Sequence, residues 1–350
     1  MKLVRKRDHD SESFALFDGL GRGAGYKIGD PADTGTFISQ VKASLDRASG
    51  NGIVVYGNHA QRMFAYVAAS LGKCRLIREE DVGDVYSDSS DISIPDYRIV
   101  TTSGQDFFVE VKNCNDVSLS GGVRLTNSYV SQLERYGSVF GKPVRIATYW
   151  SRWRLWTLVS TEHLPRSGDD RTLTMSKALK INEMADIGDF TIGIVPPLRL
   201  RVTADKTKSR PSVAKTASET EHLFTIGGVE IHSGNVKIID PAEQSIAFYL
   251  MMHASWQEKE PVPEMEDGKL VAVDFVKEPE QDESSGEEFA LLAPMSSMIS
   301  DAYLDLTTEE SVVKRLSPNV SPGSLGMLID PGYRGKQLRL WRFNQKPNYD

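Results

Sequence analysis

Two strand-like runs set in a short hairpin constrain this chain more than any other feature of its 350 residues. Tyr97 to Thr102 and Phe107 to Lys112 are rich in β-branched and aromatic residues, and Ser103-Gly104-Gln105-Asp106 joins them with the length and chemistry of a hairpin turn. Strand side chains alternate between faces, so Glu110 and Lys112 share one face while Val109 and Val111 point into the opposite, apolar layer. Asp96 stands at the start of the neighbouring strand, where antiparallel pairing brings it near both. Two carboxylates and one ammonium are thus expected to converge at a sheet edge or end.

The flanking sequence predicts what surrounds the hairpin. Ile53-Val54-Val55-Tyr56 reads as a short buried strand. Asn58 reads as the cap of a helix running to about Leu71, with Met63, Phe64, Val67 and Leu71 on one face and Gly72 as its stop. Cys74 to Ile77 is strand-like, and Asn113 to Gly122 is a polar loop. Leu125 to Phe140 spaces Leu125, Tyr129, Leu133, Tyr136 and Phe140 along one helix face, and Gly141-Lys142-Pro143 ends it. Strands Val144 to Tyr149 and Leu155 to Val159 follow. This order predicts the α/β class, a mixed β-sheet core flanked by helices.

Upstream, Thr34 to Ala48 has helical spacing. The glycines from Gly19 to Gly25 lack a preceding strand and a following Gly-Lys-Ser/Thr, so they read as a turn rather than a phosphate loop. Asp205 to Ser218 is basic, polar and almost free of large apolar residues, as a linker is. Beyond it, Pro241 to Trp256, Met295 to Leu304 and Glu309 to Leu316 read as helices. Leu270 to Val276, Phe289 to Leu292 and Gln337 to Phe343 read as strands. The expected division is an N-terminal extension (1–50), a core domain (51–204), a basic linker (205–218) and a C-terminal α+β docking or regulatory domain (219–350).

Charge and cysteine usage narrow the classes. The net charge is −7, yet the stretch from Gln257 to Glu288 carries 12 acidic and 3 basic residues, so the rest of the chain is mildly basic. Local charge, not the total, sets the field that a phosphate backbone meets. Cys74 and Cys114 form no CxxC pair, which argues against a zinc ribbon and fits reduced thiols in a cytoplasmic protein. No apolar run is long enough to span a bilayer, and residues 1–10 hold no signal-like apolar segment.

The converging set has a definite chemistry. Two carboxylates can hold Mg²⁺ or Mn²⁺, which keeps several waters and binds substrate phosphate. The metal lowers the pKa of a bound water, and a nearby ammonium adds positive charge where negative charge builds. Ile94-Pro95-Asp96 followed by Glu110-Val111-Lys112 resembles the motif of the PD-(D/E)XK, or restriction-endonuclease-like, nuclease superfamily. Gln132 and Tyr136, in the helix after the Glu-x-Lys strand, match the Q-x-x-x-Y element of its RecB-like branches. The resemblance spans about residues 52–160. A second acid-x-Lys triplet, Asp267-Gly268-Lys269, has none of this context.

The resemblance implies a metal-dependent deoxyribonuclease with Asp96, Glu110, Lys112, Gln132 and Tyr136 at its centre. It implies DNA rather than RNA as substrate, and a setting in restriction or anti-phage defence. Such families add a carboxylate from the first core helix, but here that helix offers His59 and Gln61. Glu79, Glu80 and Asp84 lie just downstream, and Glu80 is the expected third metal ligand; His59 is expected to be a capping or surface residue. The alternative is a weakly active or inactive nuclease-fold subunit that binds nucleic acid or scaffolds a complex. A homodimer, or a protein partner for the C-terminal domain, is a further expectation. Arg145, Arg152, Arg154, Arg166 and Arg171 lie among Trp150, Trp153 and Trp156. This fits either nucleic-acid contact or core tryptophans with solvated arginines.

Overall fold

A computed structural model describes the chain except residues 2–7, 209–212, 215–219, 281–287, 328 and 331, with the backbone alone at 213, 214 and 220. The chain is a mixed α/β protein with several sheets flanked by helices, and it divides into two compact units. The first comprises Met1–Asp189, Ile299–Gly326 and Gln345–Asp350; the second comprises Phe190–Met298 and Met327–Asn344.

The first unit opens with α1 (His9–Gly21), α2 (Pro31–Ser49) and α3 (Gly52–Ser70). Its main sheet has the order β1 (Cys74–Glu79), β2 (Tyr97–Thr101), β3 (Asp106–Cys114), β5 (Val144–Trp150), β6 (Leu155–Ser160). All neighbours are antiparallel except β3 and β5. A parallel pair needs a crossover, and β4 (Gly122–Thr126) with α4 (Asn127–Val139) lies within it. β4 pairs with β8 (Asp170–Thr174), which pairs with β7 (Arg166–Ser167); α5 (Met175–Lys180) follows.

The two faces of the sheet have different covers. Phe108, Ile146 and Trp150 form one buried cluster with Val130, Leu133 and Tyr136 of α4. On the other face, Phe64 of α3 packs against Tyr97 and Trp156, with ring centroids 6.1 and 5.4 Å apart. This is the alternation expected of a strand covered on both sides.

Several elements depart from the sequence-based expectation. Ile53 to Tyr56 is the first turn of α3, not a strand, and Ile53 is 88% exposed. Asn51 overrides the β-branched run by accepting the Ile53 and Val54 N–H groups, the bonds of an N-cap. Asn58 instead bonds back to the Val54 carbonyl inside the helix. Leu125 belongs to β4, because Thr126 caps α4 by accepting the Tyr129 N–H. In α2, Asp30 is the cap, with Pro31 in the first turn. Gly19 and Gly21 lie in α1, and the turn follows, with Gly25 at φ +73°.

In the second unit, β9 (Thr191–Ile194) pairs with β18 (Ala290–Pro294) and β21 (Leu340–Phe343). β10 (Leu198–Ala204) lies between β13 (Ile226–Ser233) and β17 (Lys269–Glu278), in a six-stranded sheet with β14 (Val236–Ile238), β15 (Gln257–Glu258) and β16 (Val262–Glu266). A two-strand ribbon, β11 (Val213–Ala214) and β12 (Thr220–Glu221), lies apart from it. β10 is hydrogen-bonded into this sheet, so residues 190–204 fall in the second unit rather than in the expected core domain. Most of the expected linker 205–218, and residues 281–287 of the acidic stretch, lie outside the described residues.

α6 spans Pro241–His253 and α7 spans Met295–Thr307. The expected helix Glu309 to Leu316 is instead a ribbon of β19 (Thr308–Glu309) and β20 (Val312–Val313). Glu310 and Ser311 turn it with φ of +49° and +63°, which no α-helix accommodates. Asp267-Gly268 forms the β16–β17 turn with φ of +49° and +73°, so the decoy triplet is hairpin chemistry. Among the described residues no helix is long and apolar enough to cross a membrane. Cys74 and Cys114 are buried free thiols.

The capping correction is testable in a urea titration. Asn51→Ala should cost ~1 kcal/mol of stability, whereas Asn58→Ala should stay within ~0.5 kcal/mol. Equal costs at the two positions would contradict the assignment.

Candidate active site

β3 delivers Glu110 and Lys112 to the α4 side of the sheet. Glu110 is 4% exposed, and its Oε1 accepts from Lys112 Nζ at 2.5 Å and from the Tyr129 hydroxyl at 2.5 Å. Lys112 Nζ also lies 3.4 Å from that hydroxyl and 5.0 Å from the Tyr129 ring centroid. Charge-assisted bonds of this length are strong and hold the carboxylate in one orientation. Among the described residues, Glu110 Oε2 accepts no hydrogen bond.

Asp96 reaches the same place from the segment before β2. Its Oδ2 accepts the Val111 N–H at 2.6 Å, which ties it to the strand between Glu110 and Lys112. Its Oδ1 accepts from Gln61 Nε2 of α3 at 2.7 Å. Burial pushes the Asp96 carboxyl up to about 7, and the Glu110 charge pushes the same way; the Val111 N–H and Lys112 oppose them. Tyr129 is raised as well, by burial and then by the Glu110 carboxylate beside it. The three residues the sequence singled out therefore share one electrostatic environment.

The other expected members stand differently. Glu80 lies beside Asp96 through its backbone, donating its N–H to the Asp96 carbonyl at 2.9 Å. Its carboxylate accepts the Tyr136 hydroxyl at 2.8 Å, and its Oε1 is buried without a hydrogen bond. Among the described residues no group of three His, Cys, Asp or Glu side chains is arranged to hold an ion, so Glu80 does not complete a trio with Asp96 and Glu110. Gln132 does not look back at the centre: its Nε2 donates to Asp91 at 3.0 Å and its Oε1 accepts from Ser93 at 3.1 Å. Tyr136 packs on Phe108, with ring centroids 5.1 Å apart. His59 is neither cap nor surface; it is buried against Tyr303 and within 2.9 Å of Thr307 Oγ1, and burial pulls its pKa down to about 4.

Three participants were missed from sequence. Tyr129, two helical turns before Tyr136, bonds the Glu110 carboxylate from the same helix. Both tyrosines lie on the same helix face, so periodicity alone does not choose between them; the position of the cap at Thr126 does. Gln61 was visible but had no role. Asp81, exposed and next to Glu80, adds its negative charge to the field at Asp96 and Tyr129.

The donor set fits a hard divalent cation. Asp96 and Glu110 supply carboxylate oxygens, and Glu110 Oε2 is open. Thr148, in register with Lys112 on β5, has a buried hydroxyl with no hydrogen bond. Mg²⁺ is commonly held by one or two carboxylates with water in its remaining positions. A cation would also offset the burial and the Glu110 charge that raise Asp96.

No protein-family model matches this chain, and no curated protein matches it. Among solved structures it is similar to a Holliday junction resolvase from Archaeoglobus fulgidus. That match is 20% identical with a TM-score of 0.22, covering 26% of this chain and 75% of the other. The functional reading stands instead on the geometry of Asp96, Glu110 and Lys112.

The raised Asp96 carboxyl gives a pH signature. Its folded-state pKa, about 7, lies above the ~4 of an unfolded Asp. Its contribution to stability is therefore full below pH ~4 and is lost as the pH rises through about 7. In metal-free protein, Asp96→Asn should gain ~1–2 kcal/mol at pH 8 and little at pH 4. An equal effect at both pH values would contradict the electrostatic account.

Proposed function

We propose that this chain is a divalent-metal-dependent nuclease, hydrolysing phosphodiester bonds of nucleic acid, DNA in preference to RNA, on a restriction-endonuclease-like core. The observation that carries the reading is the convergence of Glu110 and Lys112 on β3 with Asp96 from the segment before β2, with Lys112 Nζ 2.5 Å from Glu110 Oε1. The sequence resemblance implies restriction or anti-phage defence as the setting.

Each residue has a distinct part. Asp96 and Glu110 would hold Mg²⁺ or Mn²⁺, which when bound supplies charge neutralisation at the scissile phosphate and a more acidic water. Lys112 holds a positive charge beside that position; its ammonium can orient the attacking water and oppose the negative charge that develops. Gln61 and the Val111 N–H fix the Asp96 carboxylate. Tyr129 fixes Glu110 through Oε1 and so leaves Oε2 for the cation. Tyr136 acts at one remove, holding Glu80 against the backbone of Asp96.

A second reading, a weakly active nuclease-fold subunit that binds nucleic acid, draws support from the pairing of Asp96 and Glu110 without a third grouped carboxylate among the described residues. Plasmid nicking with Mg²⁺ or Mn²⁺ separates the two. The nuclease reading expects metal-dependent nicking abolished by EDTA and reduced ~100-fold or more by Lys112→Ala or Glu110→Gln. It expects a ~10-fold loss for Tyr129→Phe, against less than ~3-fold for Gln132→Ala. DNA binding with no cleavage under any divalent cation would favour the second reading. Cleavage indifferent to both Lys112 and chelation would sink the first.

A further inference from the structure

The arginine- and tryptophan-rich stretch after the core resolves into two kinds of residue. Arg145 is largely buried, ion-paired with Glu183 and Asp186 and set over the Phe107 ring. Arg171 is buried against Glu134 and the Thr161 carbonyl. Trp150 and Trp156 are core residues whose indole N–H groups donate to Thr157 and Ser300. Trp153 is the exception. It is 47% exposed, and among the described residues its indole N–H has no acceptor. Its neighbour Arg152 is exposed and, among the described residues, forms no ion pair.

The fold carries this pair to the end of the sheet that serves the candidate centre. β3 and β5 are parallel, so their carboxyl ends lie together, with Cys114 in register with Trp150. The Ser151 N–H donates to the Cys114 carbonyl at 3.0 Å, and Ser151 Oγ donates to Asn115 Oδ1 at 3.1 Å. These bonds clamp the β5–β6 turn to the exit of the catalytic strand. The turn is closed by the Trp153 N–H donating to the Trp150 carbonyl at 3.0 Å. Arg154 takes φ +51°, a conformation that disfavours any side chain, and is tied to Asp301. Lys112 is level with Thr148, two residues before Trp150. At ~3.3 Å per residue, the turn begins ~7 Å along the strands from the Lys112 backbone, a few nucleotide steps at most from a phosphate bound at the centre.

An indole offers one of the largest burial gains of any side chain. Here it is left half outside, next in sequence to an exposed arginine, on an anchored turn. We propose that Trp153 and Arg152 form a platform for one unpaired nucleotide next to the Asp96/Glu110/Lys112 centre, the indole stacking on its base and the guanidinium contacting its phosphate. Inside a continuous duplex both faces of every base are covered by its neighbours, so only a flap, a frayed end or a single strand offers a base to stack on. The platform therefore selects nucleic acid with an unpaired base within a few nucleotides of the scissile phosphate. It rests on the nuclease reading for the identity of the adjoining centre.

Binding, read separately from cleavage, tests it. Fluorescence anisotropy with the full chain in EDTA would compare a single-stranded oligonucleotide, a flapped duplex and a blunt duplex. Trp153→Ala should weaken binding to the first two by ~5- to 150-fold and leave the duplex within ~2-fold. Trp153→Phe should restore most of the loss, and Arg152→Ala should weaken the same two substrates more than the duplex. A Trp153→Ala protein that binds all three as wild type does overturns the platform, whether or not the chain cuts. Failure of the wild type to bind either unpaired substrate overturns it too. Selective loss in Trp153→Ala, from a wild type that cleaves nothing with Mn²⁺, keeps the platform and removes the nuclease reading.

Discussion

The hydrogen bond from the Val111 N–H to Asp96 Oδ2 is the contact on which the candidate centre depends. It joins the segment before β2 to the middle of β3, between the two residues whose side chains meet on the α4 side. The antiparallel register that pairs Tyr97 with Val109 makes the contact possible. A one-residue slip would send Glu110 and Lys112 to the α3 face, among apolar side chains that give a carboxylate no partner. The register is held from both sides, by Phe64 packed on Tyr97 and by Phe108 in the cluster with α4. The hydrophobic layers thereby set the positions of the polar groups between them.

That dependence explains what could be read from sequence. Alternation along Phe107 to Lys112 gave the face of Glu110 and Lys112, and the short turn gave their nearness to Asp96, because both follow from local geometry. The strands after α4 and the α/β class were legible for the same reason. Tyr129 was not, since its role rests on where Thr126 starts the helix, and one helix face carries Tyr129, Leu133 and Tyr136 alike. The start of α3 was misread because β propensity in Ile53 to Tyr56 is weaker than a capping Asn51 followed by a packed helix. Glu80 drew attention by its position just after the first core helix, and a backbone bond ties it to Asp96, but the Tyr136 hydroxyl takes its carboxylate. Side-chain direction in a loop leaves no periodic trace in the sequence.

Arginine and tryptophan show the same limit. Sequence alone left both readings of the stretch after β5 open. Arg145 and Arg171 are neutralised inside the fold, and Trp150 and Trp156 fill its core. Among the described residues of this set, Arg152, Trp153 and Arg166 stay exposed without an ion pair, and Arg152 and Trp153 stand together on the β5–β6 turn. Composition could not make that distinction, because burial depends on partners such as Glu183, Asp186 and Ser300, far away in the sequence.

The central claim is that Asp96 and Glu110 share a divalent cation beside Lys112. Anomalous diffraction from crystals soaked in Mn²⁺ addresses it most directly. The account predicts a peak within ~2.2 Å of one Asp96 oxygen and of Glu110 Oε2, lost in Glu110→Gln crystals. Mn²⁺ found only elsewhere on the protein, with no peak at Asp96 or at Glu110 Oε2, would contradict it.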